Sequence, residues 1–195
     1  MTPTQMILTI LVLLVVAIGV VLWMRNRRTG QLKSQFGSEY DRVVHESGSE
    51  AKAEAMLAAR QKRVSSYTIK PLSSEMRNHF IETWRAVQAQ FVDDPRYAVT
   101  RADDLLGEVM LARGYPVHDF EQRAEDLSVD HPQVVQHYRS GHDIAVNHSR
   151  GQASTEDLRT AMIHFRALFD DLVNEAVNHA KPQVISSRGQ QKNAP

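Results

Sequence analysis

Residues Met6 to Met24 read MILTILVLLVVAIGVVLWM, one unbroken apolar stretch of nineteen, and Arg25, Asn26, Arg27 and Arg28 follow at once. As a helix rising about 1.5 Å per residue, the stretch spans roughly 28 Å, close to the hydrocarbon thickness of a bilayer. A cleaved signal peptide would need a basic leader, a shorter apolar core and small residues at a cleavage site. Here Met1 to Gln5 carries no charged side chain, and Trp23, Met24 and Arg25 occupy the cleavage position. The sequence therefore predicts a retained transmembrane helix over 6–24, preceded by a short segment, 1–5. Arg25, Arg27, Arg28 and Lys33 flank it on one side only, and basic flanks stay cytoplasmic. The expected topology is a single pass through a bacterial inner membrane, with the N-terminus outside and the C-terminal domain in the cytoplasm. Trp23 stands where an interfacial aromatic belongs.

Charge is segregated along the chain. The 23 basic and 23 acidic residues cancel, but seven basic ones lie at the membrane edge or in the tail (Lys181, Arg188, Lys192). Sixteen remain against all 23 acidic residues, so the domain itself carries about seven excess negative charges. Such a surface is ill suited to a phosphate backbone, and no nucleic-acid partner is expected. The absence of cysteine excludes disulfides, thiolate zinc sites and a cysteine nucleophile.

Periodicity finds helices and almost no strand signal. Leu32, Phe36, Tyr40 and Val43 recur at helical spacing, with Gly37 marking a bend, and Glu50 to Val64 has high helix propensity. Tyr67 to Leu72 reads as an extended connector, because Pro71 pushes Lys70 out of helical geometry. Ser73 or Ser74 can cap a helix with Phe80, Trp84, Val87 and Phe91 on one face. Asp94 with Pro95 starts the next, which runs through Leu105, Leu106 and Met110 and closes at Gly114. A connector so short predicts antiparallel neighbours. A short helix through Phe120, Ala124 and Leu127 follows, then one opening at Asp130-His131-Pro132. The last carries a capping-box spacing at Ser154 and Asp157 and an apolar face from Leu158 to Leu172. The fold class expected is all-α: the transmembrane helix, juxtamembrane helices and connector over 25–72, and an antiparallel bundle of about five or six helices over 73–180. The tail, 181–195, has too little apolar content to fold.

The runs VQAQFVDDP (87–95), GYPVHDFEQRAEDLSVDHP (114–132), YRSGHDIA (138–145) and TEDLRTAMIHFRALFDDL (155–172) resemble a widespread family of uncharacterised bacterial proteins. Its members share an N-terminal hydrophobic segment followed by such a helical region, and the resemblance covers about residues 32 to 173. It implies a bacterial source and one compact domain. No activity is assigned to that family, so no catalytic residue is carried over.

Three constellations could carry chemistry. His131, His137, His142 and His148 lie on one helix or at its entrance, but at separations of six, five and six rather than the three or four that share a face. Scattered surface histidines are the simpler reading, and no metal or cofactor is expected. The acidic residues Asp93-Asp94, Asp103-Asp104, Asp126, Asp130 and Asp170-Asp171 could hold a cation. Capping accounts for Asp94 and Asp130, and solvated helix faces for the rest. The third is the stretch 113–128, where Arg113, Tyr115, His118, Glu121 and Arg123 could recognise a ligand or partner, or could pin the turn between two helices. No G-x-S-x-G, P-loop or G-x-G-x-x-G is present. The sequence thus favours a non-enzymatic interaction or scaffold module held at the membrane, binding the lipid bilayer and an unidentified protein or itself. An exposed aromatic strip from Trp84 or Phe120 would mark its docking face. The alternative is a membrane-tethered metal-binding protein or enzyme using His131, His137, His142 and nearby carboxylates.

Overall fold

The computed structural model describes residues 3–116 and 118–179, the side chains of 3, 4, 6–10 and 175–179 excepted. The expected tail, 181–195, lies outside the described residues. Among the described residues eight helices follow in order: α1 (Pro3–Phe36), α2 (Ser38–Ser47), α3 (Glu50–Val64), α4 (Ser74–Gln90), α5 (Pro95–Arg113), α6 (Phe120–Asp130), α7 (Pro132–Ser149) and α8 (Thr155–His179). No strand occurs among the described residues.

The local signals act where the sequence places them. Ser73 accepts the Met76 N–H, and Asp94 accepts the Tyr97 N–H ahead of Pro95. Ser154 and Asp157 bond reciprocally, main chain to side chain, at 2.7 and 3.2 Å. Gly114 closes α5 at φ 101°, and a Cβ there would stand 2.3 Å from the Thr68 carbonyl oxygen. That close approach is the connector itself, whose Lys70 N–H donates to the Arg113 carbonyl. One cap differs from expectation. His131, not Asp130, is the residue before α7, and its side chain makes no cap bond. Asp130 instead accepts the Tyr115 hydroxyl at 2.9 Å, a partner supplied by the preceding loop.

Helices α4 and α8 run antiparallel. Arg77 bonds Asn174, Trp84 stacks on Phe169 at 4.6 Å, and Gln88 meets Arg166, so position rises on one helix as it falls on the other. The same holds for α7 and α8, through His131–Asp171 and His137–His164. Their axes approach closely at Gly141, where a Cβ would lie 2.6 Å from the Phe165 ring.

Buried apolar residues form two clusters. Helices α4 to α8 enclose the larger, around Trp84, Leu105, Leu106, Tyr138, Phe165 and Leu168. The smaller joins Leu32 and Phe36 of α1, Tyr40 and Val43 of α2, and Ala53, Leu57 and Val64 of α3 to Val129 of α6. Helix α1 therefore has two different ends. Its C-terminal turns belong to a core, whereas the large apolar side chains from Leu11 to Met24 are 50–68% exposed. No helix among the described residues is long and apolar enough to cross a membrane.

Candidate functional site

The five residues expected to form a recognition loop do not converge. Arg113, at the end of α5, is buried and donates to the Leu172 carbonyl of α8 at 3.2 Å; burial pushes its guanidinium pKa down. Tyr115 is buried with its hydroxyl on Asp130, and burial followed by the Asp130 charge pushes its pKa well above the usual phenol range. His118 is exposed. Glu121 reaches out to Arg139 of α7 at 2.8 Å, and Arg123 turns towards Asp103 of α5 at 3.7 Å and over the Tyr138 ring. Four of the five, all but His118, reach to different helices, an arrangement suited to pinning the turn between α5 and α6.

The histidines are equally dispersed. His131 is buried and its Nδ1 meets an Asp171 oxygen. His137 faces His164 across α7 and α8 with their Nδ1 atoms 3.0 Å apart; burial, then the His137 charge, lowers the His164 pKa. His142 stacks on Phe120 at 3.5 Å and burial lowers its pKa as well. No group of three or more His, Cys, Asp or Glu among the described residues could hold a metal ion. The proposed docking aromatics are also engaged: Trp84 is 3% exposed in the core, and Phe120 is covered by His142 and Tyr138.

The strongest polar assembly lies where no sequence motif announces one. Glu39 of α2 is buried, and its carboxylate accepts from Arg42 at 2.7 and 2.8 Å and from Arg60 of α3 at 2.8 Å. Arg139 of α7 approaches the same oxygen at 3.5 Å. Arg60 continues to Glu125 of α6 at 3.0 Å, and Arg63 bridges Glu125 and Asp126 at 2.9 and 2.7 Å. Asp126 also accepts the Tyr67 hydroxyl. Asp126 is only 1% exposed, which corrects the expectation of a solvated carboxylate there. Burial alone would raise the Glu39 pKa; the Arg42 hydrogen bond and the Arg139 and Arg42 charges reverse this and hold it below the ordinary value. The assembly joins α2, α3, α6 and α7 between the two apolar clusters. Its carboxylates are filled by guanidiniums, which suits a lock between helices and leaves little to bind or abstract a proton.

A signal for it existed in the stripes. Arg60 occupies a core-facing position of the α3 series Ala53, Leu57, Val64, and Glu39 stands within the series Phe36, Tyr40, Val43. A charge in an apolar stripe asks for a buried partner.

The basic residues that follow the apolar run remain at the surface. Arg25, Arg27 and Arg28 are exposed, with Arg27 over the Trp23 ring at 5.4 Å. Lys33 lies 3.9 Å from Glu50 and over the Tyr40 ring. No family model matches the chain, and neither a curated protein nor a solved structure does.

Proposed function

We propose that the chain is a membrane-anchored helical interaction or scaffold module of a bacterial inner membrane, with its bundle on the cytoplasmic side. The observation that carries this reading is the division of α1. Its apolar half is solvent-exposed as the chain folds alone, and the same helix enters the α2–α3 cluster through Leu32 and Phe36. Exposed apolar surface of this extent calls for lipid or a partner. The sequence adds Met6 to Ile10 to the run, giving roughly 28 Å, and the arginines beyond Trp23 favour a cytoplasmic bundle. The bundle's polar residues serve its own helices rather than a reaction centre, which supports a scaffold over an enzyme. Its partner is a protein or a second copy of the chain.

Alkaline carbonate extraction of cell membranes, followed by protease treatment of spheroplasts and inverted vesicles, tests the placement. The chain should stay with the membrane, and a C-terminal epitope should be cut only in inverted vesicles. Release into the carbonate supernatant would refute the anchor, and cleavage in spheroplasts would refute the orientation.

A further inference from the structure

Between the end of the apolar run and α3 lies an open groove of about 1130 Å³. One wall is α1, carrying Trp23, Met24, Arg25, Arg27 and Arg28. The other is the α3 face of Ala51, Ala55 and Ala58, whose small side chains leave the volume free. Among the described residues no carboxylate pairs with any of the three arginines. Glu54 is the groove's single carboxylate, and it already accepts the Thr29 hydroxyl at 2.5 Å and lies 3.4 Å from the Tyr40 hydroxyl. Three guanidiniums against one satisfied carboxylate leave the cleft positive.

We infer that this groove holds the phosphodiester headgroup of one anionic membrane phospholipid. The inference rests on the anchor reading above and adds to it a ligand and a place. Position and charge both point to that occupant. Arg25 to Arg28 stand one helical turn past Trp23, the depth at which headgroup phosphates lie beside an interfacial aromatic. Guanidiniums present paired donors to phosphate oxygens, and Gln31 lines the same groove, whereas the Gln35 and Gln61 amides are engaged with the Val129 carbonyl and with each other. The groove opens beside the exposed apolar surface of Met24 and Trp23, which a free phosphate would leave uncovered and an acyl chain would cover. Diffuse attraction of a basic cluster needs no cleft; this site does.

The full-length chain, purified in detergent with phosphatidylglycerol or phosphatidylcholine added in equal amounts, is read by native mass spectrometry. One phosphatidylglycerol should be retained per chain in preference to phosphatidylcholine. Arg25→Gln with Arg28→Gln should weaken retention by about 30-fold, from about fivefold per basic residue. The deciding variant is Ala51→Leu with Ala55→Leu. Both positions are exposed and leucine is a good helix former, so the fold tolerates them while the groove fills. Retention should fall at least tenfold although every charge remains. Lys33→Gln, outside the groove, should change it less than twofold. Unchanged retention in the alanine-to-leucine variant would overturn the inference in favour of diffuse attraction. Equal competition by free glycerol phosphate would overturn the lipid as its source, and a dimer lost with that variant would assign the groove to a second copy. A chain that resists carbonate extraction yet shows no lipid preference removes this inference and leaves the anchor standing. A carbonate-soluble chain removes both.

Discussion

The α4–α8 bundle and the α1–α3 unit are built on different physics. Among the described residues the bundle gathers twenty-three buried apolar ones, while the cluster around α1–α3 has eight, one of them from α6. Burial of apolar area is additive and undirected, so the bundle can stand on packing. The smaller unit is fastened to it by a directional charge assembly, Glu39 with Arg42, Arg60 and Arg139, continued by Glu125, Arg63 and Asp126. Buried pairs of this kind add little net stability over apolar replacements, yet losing one member is costly. The difference teaches that the two halves should fail separately and under different conditions.

Trp84→Ala should have the largest effect on the bundle, about 3–5 kcal/mol, because its ring is buried and stacked on Phe169. Urea unfolding followed by circular dichroism measures it, and a near-zero loss would contradict the packed core. Glu39→Gln should cost less, about 2–3 kcal/mol, because it removes the buried charge that Arg42, Arg60 and Arg139 share while Arg60 keeps Glu125 and Arg139 keeps Glu121, and it should act locally. Hydrogen exchange should show α2 and α3 opening first while α5 and α8 keep their protection; simultaneous opening would erase the contrast between halves.

Acid offers the same separation without mutation. The Glu39 pKa is lowered from 4.5 in the folded chain, so its contribution is complete above that value and is lost as pH falls through the folded pKa. Exchange at α2 and α3 should therefore accelerate below about pH 4.5 in the parent chain and much less in Glu39→Gln. Gly141→Ala should cost about 1–3 kcal/mol, since its Cβ would press on the Phe165 ring, and the loss should appear in the bundle's thermal midpoint. Asp94→Ala should cost about 1 kcal/mol by removing the cap on the Tyr97 N–H, measurable as a small shift in the same midpoint.

What the sequence revealed follows the range of the interactions. Caps at Ser73, Asp94 and Ser154 were readable because donor and acceptor lie three positions apart. The stripe of Phe80, Trp84 and Val87 was readable because periodicity is local too. For Glu39 only the Arg42 pair, three positions on, is local; its burial was not readable, since the further partners Arg60 and Arg139 come from 21 and 100 positions away. Asp130 shows the same limit at short range: two partners were available, a helix N-terminus and the Tyr115 hydroxyl, and only the folded loop chooses between them. The five residues of the 113–128 stretch looked like one site because they are close in sequence; folding sends four of them to four different helices and leaves His118 exposed.

Helix α1 passes from Trp23 to Phe36 without a break, so the apolar run and the core-facing Leu32 share one helical phase. Each residue turns an α-helix by about 100°. A single alanine inserted between Arg28 and Leu32 would thus swing the α4–α8 bundle by about that angle around the axis of the apolar run, presenting another side to whatever lies alongside, with every contact inside the bundle unchanged. The bundle's heading relative to the apolar run is written in residue count.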